Sequence, residues 1–307
     1  MRAVRVPAFA KVNLRLEILG KRPDGYHELR TIFQTISLHD DVVLWPSSGN
    51  GIGLAVHGND ALGREPARQN LVYRAVEALR RELGIRSGVR IELRKRIPAG
   101  RGLGGGSSDA AAALLAYLRL TRRKLAAERL MEMASSLGAD VPFFLFGGRA
   151  LGIGRGDEIY PLPDLPRRTL LVVSPQDIAV ATPDAYRWLR AKRFAPLGAK
   201  LTKSGANHTL WRFCALCWSM QGGSLSNDFE EAVFHRYPRL VAIQRGLLRR
   251  GATEASLAGS GSAVFGLFQH PAEARRAALG FPNEQTFVCE TVSGKRYRRA
   301  LPVGQVL

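Results

Sequence analysis

The segment Pro98-Ala-Gly-Arg-Gly-Leu-Gly-Gly-Gly-Ser-Ser-Asp-Ala-Ala-Ala112 joins two stretches of opposite character. Upstream, Val89-Arg-Ile-Glu-Leu-Arg94 alternates apolar and polar residues, the period of a half-buried strand. Downstream, from about Ser108 to Leu120, alanine and leucine dominate and predict a helix. Glycines at 100, 102, 104, 105 and 106 lie between the two. They let the main chain approach a ligand closely, where the unpaired N–H groups and positive dipole end of the helix point outward. A polyphosphate fits that chemistry. Ser107 and Ser108 are expected at the N-cap, their hydroxyls serving either the helix end or a phosphate and its magnesium.

Three kinds of phosphate loop can be told apart by their neighbours. A Walker A loop needs G-K-[ST], and no lysine precedes Ser107. Gly100-x-Gly102-x-x-Gly105 satisfies the dinucleotide fingerprint in form. The acidic residue expected about 20 positions later should end a second parallel strand, however, and Arg122 to Glu132 is charged and helical. A protein-kinase loop would be followed by V-A-I-K and H-R-D strings, which the sequence lacks. A glycine-rich turn without a ligand would lose chain entropy with no packing in return.

Outward from the loop, the 307 residues suggest two domains. Pro161-Leu-Pro-Asp-Leu-Pro166 marks the boundary, because it can continue neither a helix nor a central strand. The expected division is residues 1–162 around the loop and 163–307 beyond it. In the first part, Lys11 to Ile18 and Thr31 to Leu38 read as strands. Asn70 caps a helix with Leu71, Val72, Ala75, Val76, Leu79 and Leu83 on one face, and another helix covers about Leu125 to Leu137. The second part reads as a strand at Thr169 to Ser174 and helices near Pro183 to Ala191, Leu210 to Ser219 and Asp228 to Gly251, with a break at Pro238. Paired strands across Ala255 to Phe268, a helix begun by Pro271 and a strand at Gln285 to Val292 complete it. That order predicts an α+β fold with an antiparallel sheet and helices on one face, not a doubly wound one.

Composition narrows the function classes. With 46% hydrophobic and 23% charged residues, the chain is globular, excluding wholesale disorder, collagen and coiled coil. A formal charge of +19 favours anionic partners: nucleic acid, anionic lipid or a phosphorylated metabolite. Nucleic-acid binding calls for a basic patch interleaved with aromatics, and the aromatics near basic runs, such as Tyr297, are isolated. No apolar run approaches the roughly 18 residues of a membrane span. Three cysteines argue against a disulfide framework and for a reducing cytoplasm. Cys214 and Cys217 form a C-x-x-C pair without the second pair that would complete a zinc site, so helix packing is expected of them.

Pro98-x-Gly-x-Gly-Leu-Gly-Gly-Gly-Ser-Ser108 resembles the nucleotide loop of the GHMP superfamily, the small-molecule kinases named for galactokinase, homoserine kinase, mevalonate kinase and phosphomevalonate kinase. The triple glycine and Asp109-Ala-Ala are similar to the branch acting on 4-diphosphocytidyl-2-C-methyl-D-erythritol. Ala10-Lys-Val-Asn-Leu14 with Pro23-Asp-Gly-Tyr-His-Glu-Leu29 resembles that branch's N-terminal signature. Leu137-Gly-Ala-Asp-Val-Pro-Phe143 resembles its catalytic aspartate segment, and Leu257-Ala-Gly-Ser-Gly-Ser-Ala-Val-Phe265 the superfamily's third motif. The motifs occur in the family's order, across roughly Val6 to Glu290.

The resemblance implies two domains, the first like the second domain of a small-subunit ribosomal protein and the other ferredoxin-like, with the active site between them. It implies ATP-dependent phosphorylation of the tertiary 2-hydroxyl of the cytidylylated alcohol, with ATP and Mg2+ as cofactors and no metal ligand firmly assigned to the protein. The expected partner is a small molecule carrying a cytidine diphosphate group, without nucleic acid or membrane. Carried over by position, Lys11 and Asp140 are catalytic, the aspartate as base and the lysine holding it. Pro98, Gly100, Gly102, Leu103, Gly104, Gly105, Gly106, Ser107 and Ser108 bind ATP. Asn13, Tyr26 and His27 bind substrate, the histidine reading the cytosine and the tyrosine lying against its ring. Thr182, Pro183 and Tyr186 face them across the cleft, with Gly259, Ser260 and Gly261 approaching the reaction centre. Another superfamily kinase, acting on a different alcohol, would lack Pro23-Asp-Gly-Tyr-His27. Arg101, where the family has a small side chain, is expected to touch phosphate or point to solvent. Lys295, Arg296, Arg298 and Arg299 read as a solvated tail.

Overall fold

The computed structural model describes residues 3–189 and 225–301. Its first sheet is built on two long antiparallel strands, β1 (Val4–Lys21) and β2 (His27–Ser47). Strands β3 (Ile52–His57) and β4 (Gly88–Arg94) add to one edge, in the order β3-β4-β2-β1. β5 (Arg149–Gly154) pairs with the first half of β2 and with β6 (Glu158–Pro161). The expected strand at Thr31 to Leu38 is thus less than half of the real one. Asp40 and Asp41 interrupt its apolar pattern, yet both are buried in mid-strand and paired with cations, Asp40 with Lys95 and Asp41 with Arg5 and Arg96. Burying a carboxylate is tolerable only with such partners.

Helices cover one face of this sheet. After the short α1 (Asp60–Arg64), α2 (Leu71–Glu82) starts where Asn70 Oδ1 accepts the Val72 N–H at 2.9 Å. α3 (Gly105–Thr121) is buried on every side from Ala110 to Leu118, which makes it the central helix of the core. α4 (Ala127–Leu137) and the single turn α5 (Phe143–Phe146) follow.

The second sheet is fully antiparallel, in the order β11-β7-β10-β9: β7 (Thr169–Ser174), β9 (Glu254–Leu257), β10 (Val264–Phe268) and β11 (Gln285–Glu290). The expected α+β architecture is present. Every residue of β7 is buried because both faces are covered. Leu171 and Val173 pack with the helices α6 (Thr182–Trp188), α7 (Phe229–Arg236), α8 (Pro238–Arg249) and α9 (Pro271–Ala278). Leu170 and Val172 pack against Val12, Leu14, Ile32 and Ile36 of the first sheet. The two sheets therefore share a core, and the cleft between the halves has a rigid floor.

Twice the chain returns to the first sheet from its second half. β8 (Ser226–Asn227) pairs with β1, and α10 (Gly294–Ala300) docks on the first core. Lys295, Arg296, Arg298 and Arg299 do not form a solvated tail: they are the exposed face of α10. Its inner face is Tyr297, 1% exposed, whose hydroxyl donates to the Phe144 carbonyl at 2.7 Å. One aromatic with its polar atom satisfied anchors four charges. The expected helix Leu210 to Ser219, with Cys214 and Cys217, lies outside the described residues, as does the end of the helix expected to reach Ala191.

Candidate active site

Strand β1 gives the site its first two side chains. Lys11 and Asn13 lie two apart in an unbroken stretch of β1, flanked by register shifts at Phe9/Lys11 and Asn13/Arg15, so strand alternation puts both side chains on one face. Val12 and Leu14 point the other way, into the core between the sheets. The polar face of this strand thus looks into the cleft, not into solvent. Lys11 Nζ donates to Asn13 Oδ1 at 2.7 Å, and Asn13 Nδ2 donates to Thr31 Oγ1 at 2.7 Å. The Lys11 ammonium lies 3.5 Å from Asp140 Oδ2, the lysine side chain 5% and the aspartate 34% exposed. Residues 129 positions apart in the chain are thereby joined, with Asp140 reaching in from the turn between α4 and α5.

The glycine loop faces this pair. Lys11 N–H donates to the Leu103 carbonyl at 3.0 Å, which stitches the loop to β1. Gly104, with φ +71°, is the N-cap of α3, and no side chain caps the helix. This corrects the expectation that Ser107 and Ser108 are N-cap residues: the helix starts one turn earlier, and both serines lie inside its first turns. The free N–H groups at the helix start thus remain available to an anion. Gly102, with φ +77°, comes so close to the second half that a Cβ there would lie 1.8 Å from the Ala258 carbonyl oxygen. Arg101 lines the cavity and is partly buried rather than free in solvent. Its guanidinium donates to the Gln176 carbonyl at 2.8 Å and to Ser262 Oγ at 3.3 Å, tying the loop to the second half.

A cavity of 1080 Å³ gathers these elements. Lys11, Asn13, Tyr26, His27, Pro98, the glycines and Leu103 of the loop, Ser107, Asp140, Thr182, Pro183, Tyr186, Gly259 and Ser260 all line it. Ser108 and Gly261 do not. Ser108 is 1% exposed, its hydroxyl without a protein partner among the described residues, and Gly261 donates its N–H to the Ala258 carbonyl within the turn. Thr182 and Ser260 hydroxyls meet at 3.0 Å.

At the far end lie the aromatic residues. His27 stacks on Tyr186 with ring centroids 4.2 Å apart and planes 13° from parallel, bridging the start of β2 and α6. Burial and the charge of Lys21 hold the His27 imidazole below its usual pKa, so it is a neutral donor and acceptor at pH 7. Burial, with nearby Asp140, pushes the Tyr186 phenol up and keeps it protonated. Tyr26 is half exposed, and the Arg155 guanidinium lies 4.8 Å over its ring.

Sequence reasoning missed three supporting residues. Asn227 of β8 donates to the carbonyls of Leu257 and Gly259, at 2.9 and 2.7 Å, and so holds the third motif's turn. Arg155 stands on a turn whose neighbours gave no polar pattern. Lys95 sits under the loop between Asp40 and Asp109, where a lysine directly after an alternating strand was the available signal.

Comparison with known proteins extends the geometry. The GHMP kinases N terminal domain matches residues 70–148, and the GHMP kinases C terminal domain residues 213–285. A 4-diphosphocytidyl-2-C-methyl-D-erythritol kinase from Solibacter usitatus is 44% identical over 97% of this chain and 91% of its own length. One of the same name from Pelotomaculum thermopropionicum is 40% identical over 92% and 96%. A crystal structure of 4-(cytidine 5'-diphospho)-2C-methyl-D-erythritol kinase aligns with TM-score 0.74 and 38% identity, covering 94% of this chain and 98% of that one. Homoserine kinase from Cytophaga hutchinsonii, at 23% identity and TM-score 0.70, shares the fold.

Proposed function

Because the chain belongs to the GHMP kinases, and within them to the 4-diphosphocytidyl-2-C-methyl-D-erythritol kinases, we propose that the glycine loop takes ATP, the His27 end of the cavity takes the cytidine, and Asp140 works between them. The protein is an ATP-dependent kinase that phosphorylates 4-diphosphocytidyl-2-C-methyl-D-erythritol in the formation of isoprenoid precursors. The observation that carries the proposed roles is the Lys11–Asp140 pair, 3.5 Å apart, on the wall of the cavity that the loop also lines.

Asp140 accepts the proton of the substrate's 2-hydroxyl as its oxygen attacks the γ-phosphorus. A new P–O bond forms, the bond to the bridging oxygen breaks, and ADP leaves. Base catalysis of this kind is worth about 10²- to 10⁴-fold. Lys11 keeps the carboxylate oriented, and its ammonium offsets the charge developing on the attacking oxygen. Free N–H groups at the start of α3 receive the phosphate oxygens, so most of the rate enhancement comes from positioning and charge.

Among the described residues no cluster of three or more His, Cys, Asp or Glu is placed to hold a metal. The Ser107 hydroxyl, on the cavity wall at the start of α3, would be the protein's contact to a Mg2+ bound with ATP, and the ion would offset phosphoryl charge there. At the other end, His27 is placed to hydrogen-bond the cytosine edge, and the rings of Tyr26 and Tyr186 offer stacking faces. No helix among the described residues is long and apolar enough to cross a membrane. Buried, unbridged Cys289 suits the reducing cytoplasm in which we infer the enzyme works.

Incubation with ATP, Mg2+ and the alcohol, followed by mass spectrometry and phosphorus NMR, should give one phosphate on the 2-hydroxyl. A phosphate elsewhere, or equal turnover of an alcohol lacking the cytidine, would refute the assigned poses.

A further inference from the structure

Beneath the phosphate loop, with Lys95 and Asp109 also reaching the cavity wall, lies a charged group to which the proposed reaction gives no step. Lys95, just past the end of β4, donates from Nζ to Asp40 Oδ2 at 2.5 Å and to Asp109 Oδ2 at 2.6 Å. All three side chains are at most 4% exposed. Asp40 Oδ1 also accepts the backbone N–H groups of Arg96 and Ile97, at 2.5 and 2.8 Å, and so fixes the two residues that lead into Pro98. Asp109 stands in the second turn of α3, and its Oδ1 has no partner among the described residues. A Cβ built on Gly105 would lie 3.2 Å from Lys95 Nζ, so the ammonium touches the underside of the loop.

Burial pushes the Asp109 carboxyl up to about 8, so the group is a buried Lys95–Asp40 ion pair with a second carboxyl beside it. It brings little net stability, since an apolar trio of the same volume commonly does as well or better. What the group supplies is geometry: one ammonium grips β2 through Asp40 and α3 through Asp109. Neutralised by the Asp40 carboxylate and hydrogen-bonded to Asp109, it has no net positive charge left for a phosphate. We propose that Lys95 is a positioning residue for ATP: by clamping Asp109 to Asp40 it sets the height of Gly104 to Gly106 over the sheet, and with it the N–H groups that receive the phosphates. It acts through Asp109 and not by contact with the nucleotide. The inference rests on the loop being the nucleotide site.

The test combines calorimetric titration with ADP and steady-state kinetics on Lys95→Met, Asp109→Leu and the double variant. Lys95→Met leaves the Asp40 carboxylate and the Asp109 carboxyl buried without their cation. It should raise the ADP Kd and the ATP KM about tenfold or more, with kcat at saturating ATP within about threefold and the KM for the alcohol unchanged. The double variant removes one orphaned carboxyl and fills its place, so it should bind ADP at least about threefold more tightly than Lys95→Met. A double variant no better than Lys95→Met would mean that Lys95 meets the nucleotide itself, and would overturn the clamp. A fall in kcat with ATP KM unchanged would do the same. If Lys95→Met does not fold, Asp109→Leu alone decides: a raised ATP KM at constant kcat supports the clamp, and an unchanged ATP KM refutes it. Absence of ADP binding by the wild-type protein would instead remove the nucleotide site, and the clamp with it.

Discussion

The glycine loop and the His27 end of the cavity, to which we assign phosphate and pyrimidine, are built by opposite means. The loop is made of main chain, with Gly102 pressed on the Ala258 carbonyl, Leu103 bonded to Lys11 N–H and α3 left uncapped by any side chain. The pyrimidine end is made of side chains, with His27 from one half of the molecule stacked on Tyr186 from the other and Tyr26 half exposed beneath Arg155. A backbone site fails where an added atom has no room, as at Gly102. A side-chain site fails only when the ring or its hydrogen bond is removed, so the two ends should be separable by kinetics.

The larger of the two effects belongs to the loop. Gly102→Ala places a methyl where the Ala258 oxygen already is, at a φ unfavourable to alanine, so the main chain must move. Nucleotide affinity should fall roughly 30-fold, about 2 kcal/mol, with a lower melting temperature. ADP titration and a thermal melt check this, and near wild-type values for both would show the loop to be more pliant than its packing suggests. The smaller effect lies at the other end. Tyr186→Leu keeps apolar volume and removes the stacking face, so the KM for the cytidylylated alcohol should rise about tenfold, within the roughly 1–3 kcal/mol of base stacking. The ATP KM should stay constant. A parallel rise in both KM values would break the separation and make the cavity a single coupled site.

The same contrast decides what could be read in the chain. The loop, its strand and its helix were legible because each is specified locally, by glycine spacing and by a change of period from two to 3.6. β7 and the helix opening at Pro271 were legible for the same reason. What escaped depends on distant partners. The full length of β2 was hidden by Asp40 and Asp41, polar residues that are buried because Lys95, Arg5 and Arg96 lie across from them. The C-terminal basic run looked solvated because nothing local shows that Tyr297 fills a hole beside Phe144. The start of α3 was misplaced because serine is the better cap by propensity, while the left-handed turn at Gly104 leaves the helix end open for a ligand. Asn227 and Arg155 carry no motif, and only the fold brings Arg155 to the cavity and Asn227 to the turn of the third motif.

The central claim is that a carboxylate and an ammonium brought together from residues 140 and 11 activate the acceptor alcohol in front of the loop. Single-turnover phosphoryl transfer by Asp140→Asn, measured at saturating ATP and alcohol, tests it most directly. The isosteric amide keeps the cavity's shape and removes the base, so the rate should fall at least about 100-fold while ADP binds as in the wild type. A rate within a few-fold of wild type, with binding intact, would contradict it and leave Asp140 as a bystander beside the phosphate site.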